Sequence, residues 1–484
     1  MNIIDFLLIY PPYSYPKKSP PIGLAYIAAV LEKEGYSVEI ADMSVLGMDY
    51  NDLQQKIMEI KPTIVGVSFM TNQYDEAINI SNLVKDIDSN IIVLVGGPHV
   101  SALPEEVVSL ESIDIAVIGE GEITILEVAS NLLDRNRDSD EIEAINGIAY
   151  KKQGKIHINN PRQLIQDMDS IPFPAWPLLP INRYSIPATG GEAAENVFAI
   201  ISSRGCPNQC VFCDSHTIFG RKFRTRSAQN IFDELVYLNE HFGATQFDFV
   251  DDTMTVNKNR IYSLCNLIIN NKPEFKWMCN SRVNTVDLEM LKLMKKAGCV
   301  RVEFGVESGD PDVLKKCKKG IKIEQIKNAH AMAREAGLSI GSFVMVGNLG
   351  ENFSAVKKTK NLLEQLDTDD IFISITTPFP GTEIYKIAQH NDWLRNHNWS
   401  EYVTSPTYFP NYRPIMETDK MNANEILEAF FYLHSRFAIK KFKTRYGRFF
   451  FLNIQFYKDY ILSVRNGKEL LHKMKMAIKL LRIH

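Results

Sequence analysis

The chain is predicted to be α/β: an N-terminal doubly wound, Rossmann-like domain, then a partial (β/α)6 TIM-like barrel, then a C-terminal, mainly helical region. Three observations predict this. Short β-branched apolar runs alternate with amphipathic stretches through the first 135 residues. The same alternation returns between residues 197 and 377, after a proline-rich interruption. A length of 484 residues also exceeds what one core usually serves.

The runs FLLIY (6–10), SVEIA (37–41), TIVGVS (63–68), IIVLVGG (91–97) and DIAVIG (114–119) have the composition of strands buried on both faces. Between them, segments such as IGLAYIAAVLEKEG and YDEAINISNLVKDI carry a helical apolar period. Ligands of a doubly wound sheet sit beyond the carboxyl ends of its strands. Ser68 with Thr71, the turn Gly96-Gly97-Pro98-His99 and the turn Gly119-Glu120-Gly121-Glu122 therefore form one candidate binding rim.

GIAYKKQGKIHIN (147–159) reads as a hairpin, and MDSIPFPAWPLLP (168–180) as a connector in which proline disfavours helix and sheet alike. Strands then return as VFAIISS, QFDFV, FKWMCN, VRVEFG, LSIGSFVMV and IFISITT, separated by helices. The expected division is 1–135, a hairpin and linker over 136–195, the barrel over 196–385, and 386–484 as a substrate-determining helical region.

A formal net charge of −4 excludes a generally nucleic-acid-seeking surface, so no nucleic-acid partner is expected. The start, MNIIDFLLIYPPY, reads as a strand and not as a secretion signal, and no apolar run reaches the roughly 18 residues of a membrane span. Seven cysteines without an export signal fit a reducing, cytoplasmic compartment. From Arg436 the tail is basic and aromatic. It suits either peripheral contact with the inner face of an anionic membrane, where an apolar or lipid substrate would lie, or a helix docked on the barrel.

The loop after the first barrel strand, SRGCPNQCVFCDSH, holds Cys206, Cys210 and Cys213 in C-x3-C-x2-C spacing, and no second C-x2-C pair follows to complete a zinc ribbon. Thiolates at short spacing suit an iron-sulfur cluster, which normally takes four. Three would leave one iron open to a substrate or cofactor. Cys265, Cys279, Cys299 and Cys317 are isolated and read as core residues, with Cys279 expected to face the barrel lumen.

C-x3-C-x-aromatic-C, with Phe212 before the last cysteine, resembles the radical S-adenosylmethionine superfamily. The resemblance implies a 4Fe-4S cluster whose open iron chelates S-adenosylmethionine, and an external one-electron reductant of flavodoxin or ferredoxin type. It further implies reductive cleavage of that cofactor to methionine and a 5'-deoxyadenosyl radical. FVDDTMTVNKNR, CNSRVNTVD, RVEFGVESGD, FVMVGNLGEN and TPFPGTEIY agree with it, each at a strand's carboxyl end. On that basis Glu307 and Ser308 suit the ribose diol, Asp251 or Asp252 the cofactor's ammonium, and Arg282 its carboxylate.

The first domain, through LLIYPPY, VGVSFMT, VGGPHVSALPEE and VIGEGE, resembles the cobalamin-binding domain fused to many radical enzymes. Members with a histidine below the cobalt carry D-x-H-x-x-G, and the equivalent here is taken as Asp42-Met43-Ser44-Val45-Leu46-Gly47. Serine does not replace imidazole as a ligand. The implied cobalamin is therefore base-off without a protein histidine; the alternative is a domain that has lost the cofactor. His99 is read as a surface donor.

The pairing implies a class B radical methyltransferase acting on an unactivated carbon, its substrate a small molecule or lipid. A radical ring-forming or carbon-carbon coupling enzyme would share these motifs, and a non-enzymatic cobalamin or redox sensor is the reading from another class.

Overall fold

The computed structural model describes residues 4–13, 19–133, 139–184, 197–272, 274–406, 409 and 412–446; for 139–141 and 438–446 it describes the backbone alone. Most of the basic tail lies outside them, including Phe449, Phe450, Phe451, Leu470, Leu471 and Leu480.

The five apolar runs of the first domain form β1 (Phe6–Tyr10), β2 (Val38–Asp42), β3 (Ile64–Ser68), β4 (Ile92–Gly96) and β5 (Ile115–Val117). All pair in parallel, in the order β2-β1-β3-β4-β5. The order reverses between β1 and β3, which opens a crevice at their carboxyl ends. Leu7, Ile9, Val65, Val67, Val93 and Val95 bury one face of the sheet; Phe6, Leu8, Ile64 and Leu94 bury the other under the helix Ile22–Lys33.

The hairpin expected in the linker is part of this sheet. Its strands, β6 (Ile148–Lys152) and β7 (Lys155–Ile158), pair antiparallel onto β5 and extend the sheet to seven strands. The proline-rich connector packs as a wedge. Trp176 is fully buried, its ring meets Phe198 edge-on at 5.3 Å, and its Nε1 donates to Glu234 Oε1 at 3.2 Å. Ala175 N donates to Ala25 O on the N-terminal helix at 2.9 Å. One continuous apolar core therefore runs from Phe6 through Ile171 and Trp176 into the barrel.

The barrel strands are β8 (Val197–Ile200), β11 (Gln246–Phe249), β12 (Lys276–Ser281), β13 (Cys299–Glu307), β14 (Ser339–Val346) and β15 (Asp370–Ile375). They form a six-stranded parallel half-barrel in chain order, open between β15 and β8. Between β8 and β11 a two-rung antiparallel ladder joins β9 (Ser203–Arg204) to β10 (Arg224–Thr225). Residues 205–223, the cysteine loop among them, project from that ladder. Among the described residues no helix is long and apolar enough to cross a membrane.

Beyond β15, Trp399 packs against the first domain, where its Nε1 donates to Glu106 Oε1 at 2.6 Å. The helix Ala423–Tyr446 buries Ile426, Ala429 and Phe430 on the outside of β14 and β15.

Candidate functional site

The cysteine loop is held from two sides. Val211 N donates to Cys317 O at 3.1 Å, and Val211 O accepts from Ile384 N at 2.9 Å, so the turns after β13 and β15 fix its middle. Phe212 packs half-buried on the small apolar cluster around Val211, Cys317 and Ile384. Each of the three sulfurs has an N–H donor: Asn208 Nδ2 reaches Cys206 Sγ at 3.2 Å, Arg282 Nη1 reaches Cys210 Sγ at 3.7 Å, and the Ser215 backbone serves Cys213. Burial pushes the Cys213 thiol up to about 12.

Among the described residues no three His, Cys, Asp or Glu side chains converge on one ion position. Thiols that each address a separate iron need no such convergence. Three thiols with sulfur-directed donors fit a 4Fe-4S cluster with one iron left to another ligand.

The two adjacent aspartates have different surroundings. Asp251 is buried; its carboxylate accepts the backbone N–H and the hydroxyl of both Ser202 and Ser203, from Ser202 N at 2.9 Å and Ser202 Oγ at 2.8 Å. It anchors the carboxyl end of β8. Arg260, also buried, balances its charge and donates to Ser202 O at 2.7 Å. Asp252 is exposed and accepts from Ser215 Oγ, which leaves it the better placed of the two for an ammonium group.

Glu307 sits at φ +61°, beside a register shift between β13 and β14, and accepts from Lys319 Nζ at 2.6 Å. A non-glycine residue there carries about 1–3 kcal/mol of backbone strain, which clusters at functional sites. Ser308 is fully buried against Thr359, with Oγ atoms 3.3 Å apart. Arg282, expected at the cofactor's carboxylate, is placed against Cys210, with Nη2 on the Lys319 carbonyl. Past β14, Glu351 is buried, pushed up to about 8 by that burial, and accepts from Gly347 N at 2.6 Å. Cys279 points away from the lumen, packed in the core beside Cys299.

A cleft lies over the carboxyl ends of β1, β3, β4 and β5. Ser68, Gly96, Gly97, Gly119, Glu120, Gly121 and Glu122 all line it, as do Ile201, Arg204, Ile218 and Phe219 from the barrel side. Its wall is otherwise apolar, with Leu8, Leu24, Ile27, Val67 and Val95. Gly97 lies at φ +106°, and a Cβ there would stand 2.7 Å from Phe69 O; a Cβ at Gly121 would stand 2.9 Å from Ile27 Cδ1. Glycine at these positions lets the rim pack directly on Phe69 and on Ile27 of the helix Ile22–Lys33. An apolar cleft with a glycine rim fits a corrinoid.

Glu120 and Glu122 face a buried ion network at the cleft's edge. Glu120 accepts from Arg204 Nη1 at 3.1 Å and from Arg224 Nη1 at 2.8 Å, while Glu122 accepts from Arg204 Nη2. Burial works against the Arg204 charge, but Glu122 and Glu120 outweigh it and hold the guanidinium protonated. The network ties the rim of the first domain to the strand two residues before Cys206. Neither arginine was singled out in the sequence, where the one signal was an arginine in SRGC and a repeated glutamate in GEGE.

Two expectations for the rim are corrected. Thr71 lies away from the cleft, its Oγ1 3.3 Å from His99 Nδ1. His99 is no surface donor: it is fully buried among Phe69, Tyr74 and Trp399, and burial lowers its pKa to about 4. Ser44 does not line the cleft; its Oγ accepts from Tyr13 N at 2.9 Å. Among the described residues no histidine lines the cleft, and the first histidine of the chain is His99.

Comparison with known proteins bears on both halves of the site. Residues 200–363 match the radical SAM superfamily model, and residues 14–129 match the B12 binding domain model. An uncharacterized methyltransferase of Pyrococcus horikoshii is 34% identical over 461 residues, covering 92% of this chain and 96% of that protein. An anaerobic magnesium-protoporphyrin IX monomethyl ester cyclase of Rubrivivax gelatinosus is 27% identical, covering 88% of this chain and 75% of its own length. Among solved structures, the cobalamin-dependent S-adenosylmethionine radical enzyme OxsB, with aqua-cobalamin and S-adenosylmethionine bound, has the same fold. Its TM-score is 0.73 at 18% identity, covering 98% of this chain and 70% of that one.

Proposed function

The chain belongs to the cobalamin-dependent radical S-adenosylmethionine enzymes, and from that premise we propose that it methylates an unactivated carbon by way of methylcobalamin. Its two domain families imply a 4Fe-4S cluster, S-adenosylmethionine and cobalamin, with an external one-electron reductant for the cluster. When bound, the cluster and S-adenosylmethionine supply a 5'-deoxyadenosyl radical for hydrogen abstraction, and cobalamin supplies a methyl group to the carbon so opened.

The observation that carries the reading is the shared cleft. Its walls come from the glycine rim of one domain and from Ile201, Arg204, Ile218 and Phe219 around the cysteine loop of the other. In this reading Cys206, Cys210 and Cys213 hold the cluster, and Asp252, Glu307 and Ser308 orient S-adenosylmethionine. Gly97 and Gly121 admit the corrinoid. Burial by both domains excludes water from the space between. We also propose a base-off cobalamin without protein imidazole, supported by a cleft that no histidine lines among the described residues.

Methylation makes a measurable demand. Reduced, cobalamin-loaded protein mixed with S-adenosylmethionine should form methylcobalamin and S-adenosylhomocysteine in equal amounts; 5'-deoxyadenosine without S-adenosylhomocysteine would refute methyl transfer. That second outcome would favour a ring-forming enzyme, a reading supported by the cyclase that matches 88% of the chain. For the cofactor state, cobalt(II) paramagnetic resonance of the loaded protein should lack splitting from an imidazole nitrogen. Replacement of all three loop cysteines by alanine should remove the 4Fe-4S signal. Flavodoxin or ferredoxin is the proposed type of electron donor, and peripheral membrane contact through the basic tail remains a proposal for vesicle co-sedimentation.

A further inference from the structure

The donors to the three loop sulfurs differ in charge. Cys206 receives a neutral amide and Cys213 a backbone N–H, whereas Cys210 receives a guanidinium, Arg282 Nη1 at 3.7 Å. Around Cys213 the nearby charges are the carboxylates of Asp252 and Asp214. Arg282 is thus the cation in direct hydrogen-bond contact with a loop sulfur.

Its placement is fixed. Arg282 follows β12 directly, is 5% exposed, and its Nη2 donates to the carbonyl of Lys319. The same turn carries Cys317, whose carbonyl accepts from Val211 N at 3.1 Å. One turn, 317–320, therefore holds both the donor and the loop that bears its acceptor.

We propose that Arg282 is a positioning residue for the cluster's electronics: its charge-assisted N–H···S bond to Cys210 raises the reduction potential of the 4Fe-4S cluster and so eases its one-electron reduction. The donor gives one electron, the cluster passes from the 2+ to the 1+ state, and no bond is made or broken. Reduction adds negative charge to the thiolate-ligated cluster. A cation and hydrogen-bond donor at a ligand sulfur stabilises that state over the oxidised one. The proposal concerns electron uptake and holds whichever group the enzyme transfers.

The test is a redox titration, followed by paramagnetic resonance, of anaerobically reconstituted full-length protein, with iron and sulfide counted in each sample. Arg282→Gln should move the midpoint to more negative potential at unchanged iron content, and Arg282→Lys should recover part of the shift. A structural role alone would lower cluster occupancy and leave the midpoint of the remaining clusters in place; that result overturns the proposal. If Arg282→Gln does not retain a cluster, the wild-type protein grown with 15N-arginine decides. Pulsed resonance of its reduced cluster should show a 15N coupling, and the absence of one overturns the assignment.

Discussion

At the residue scale, neighbouring side chains of one type serve different ends according to burial. Asp251 and Asp252 are adjacent, yet Asp251 is buried under the hydrogen bonds of Ser202 and Ser203 while Asp252 is exposed. Asp251→Asn should lose about 1.5–3 kcal/mol of stability, the worth of hydrogen bonds to a charged group. Asp252→Asn should stay within about 0.5 kcal/mol of wild type, as surface changes do, while weakening S-adenosylmethionine binding. Chemical denaturation and equilibrium dialysis separate the two. His99 makes one contribution to the pH dependence of stability. Its pKa falls from 6.5 to about 4 because it is buried, so the unfolded chain takes up a proton first as pH drops. Stability from this group is complete above pH 6.5 and is lost as pH falls toward 4, by about 1.4 kcal/mol per pK unit. His99→Phe, which keeps the ring packing, should flatten that part of a stability-versus-pH curve.

At the element scale, the turns after β4 and β5 do most to make the site. Gly97 occupies a backbone region closed to other residues, and Gly97→Ala should cost on the order of 1–3 kcal/mol and abolish retention of cobalamin. The Glu120-Gly121-Glu122 turn pairs two buried carboxylates with two buried guanidinium groups. Glu120→Gln leaves a positive charge unbalanced and should destabilise by about 3–5 kcal/mol in denaturant titration. Strands were legible in the sequence because buried parallel strands are continuous apolar runs, and the cysteine loop because its spacing is local. The Arg204 and Arg224 pairings join residues 82 and 104 positions apart, so no local pattern announces them. For the same reason no local pattern announces the burial of His99 or the contact of Arg282 with Cys210. The hairpin β6–β7 was recognised as a hairpin, but its attachment to β5 depends on an edge that only the folded sheet provides.

At the scale of the whole molecule, the two domains are joined by one core, with Trp176 as the wedge between them. Trp176→Ala should cost about 3–5 kcal/mol and split one calorimetric unfolding transition into two; a single transition at lower temperature would show that other contacts suffice to couple the domains. The contact between Trp399 and Glu106 spans 293 residues of sequence. A ribosome adds roughly 5–20 residues each second, so an interval of about 15–60 s separates the emergence of Glu106 from that of its partner. Once β7 has followed, the first domain has all its strands, yet for the rest of that interval it presents the aromatic pocket around His99 without its lid. Synthesis of this enzyme thus has a window in which a nearly finished domain must be shielded from other chains, and the window closes only when residue 399 arrives.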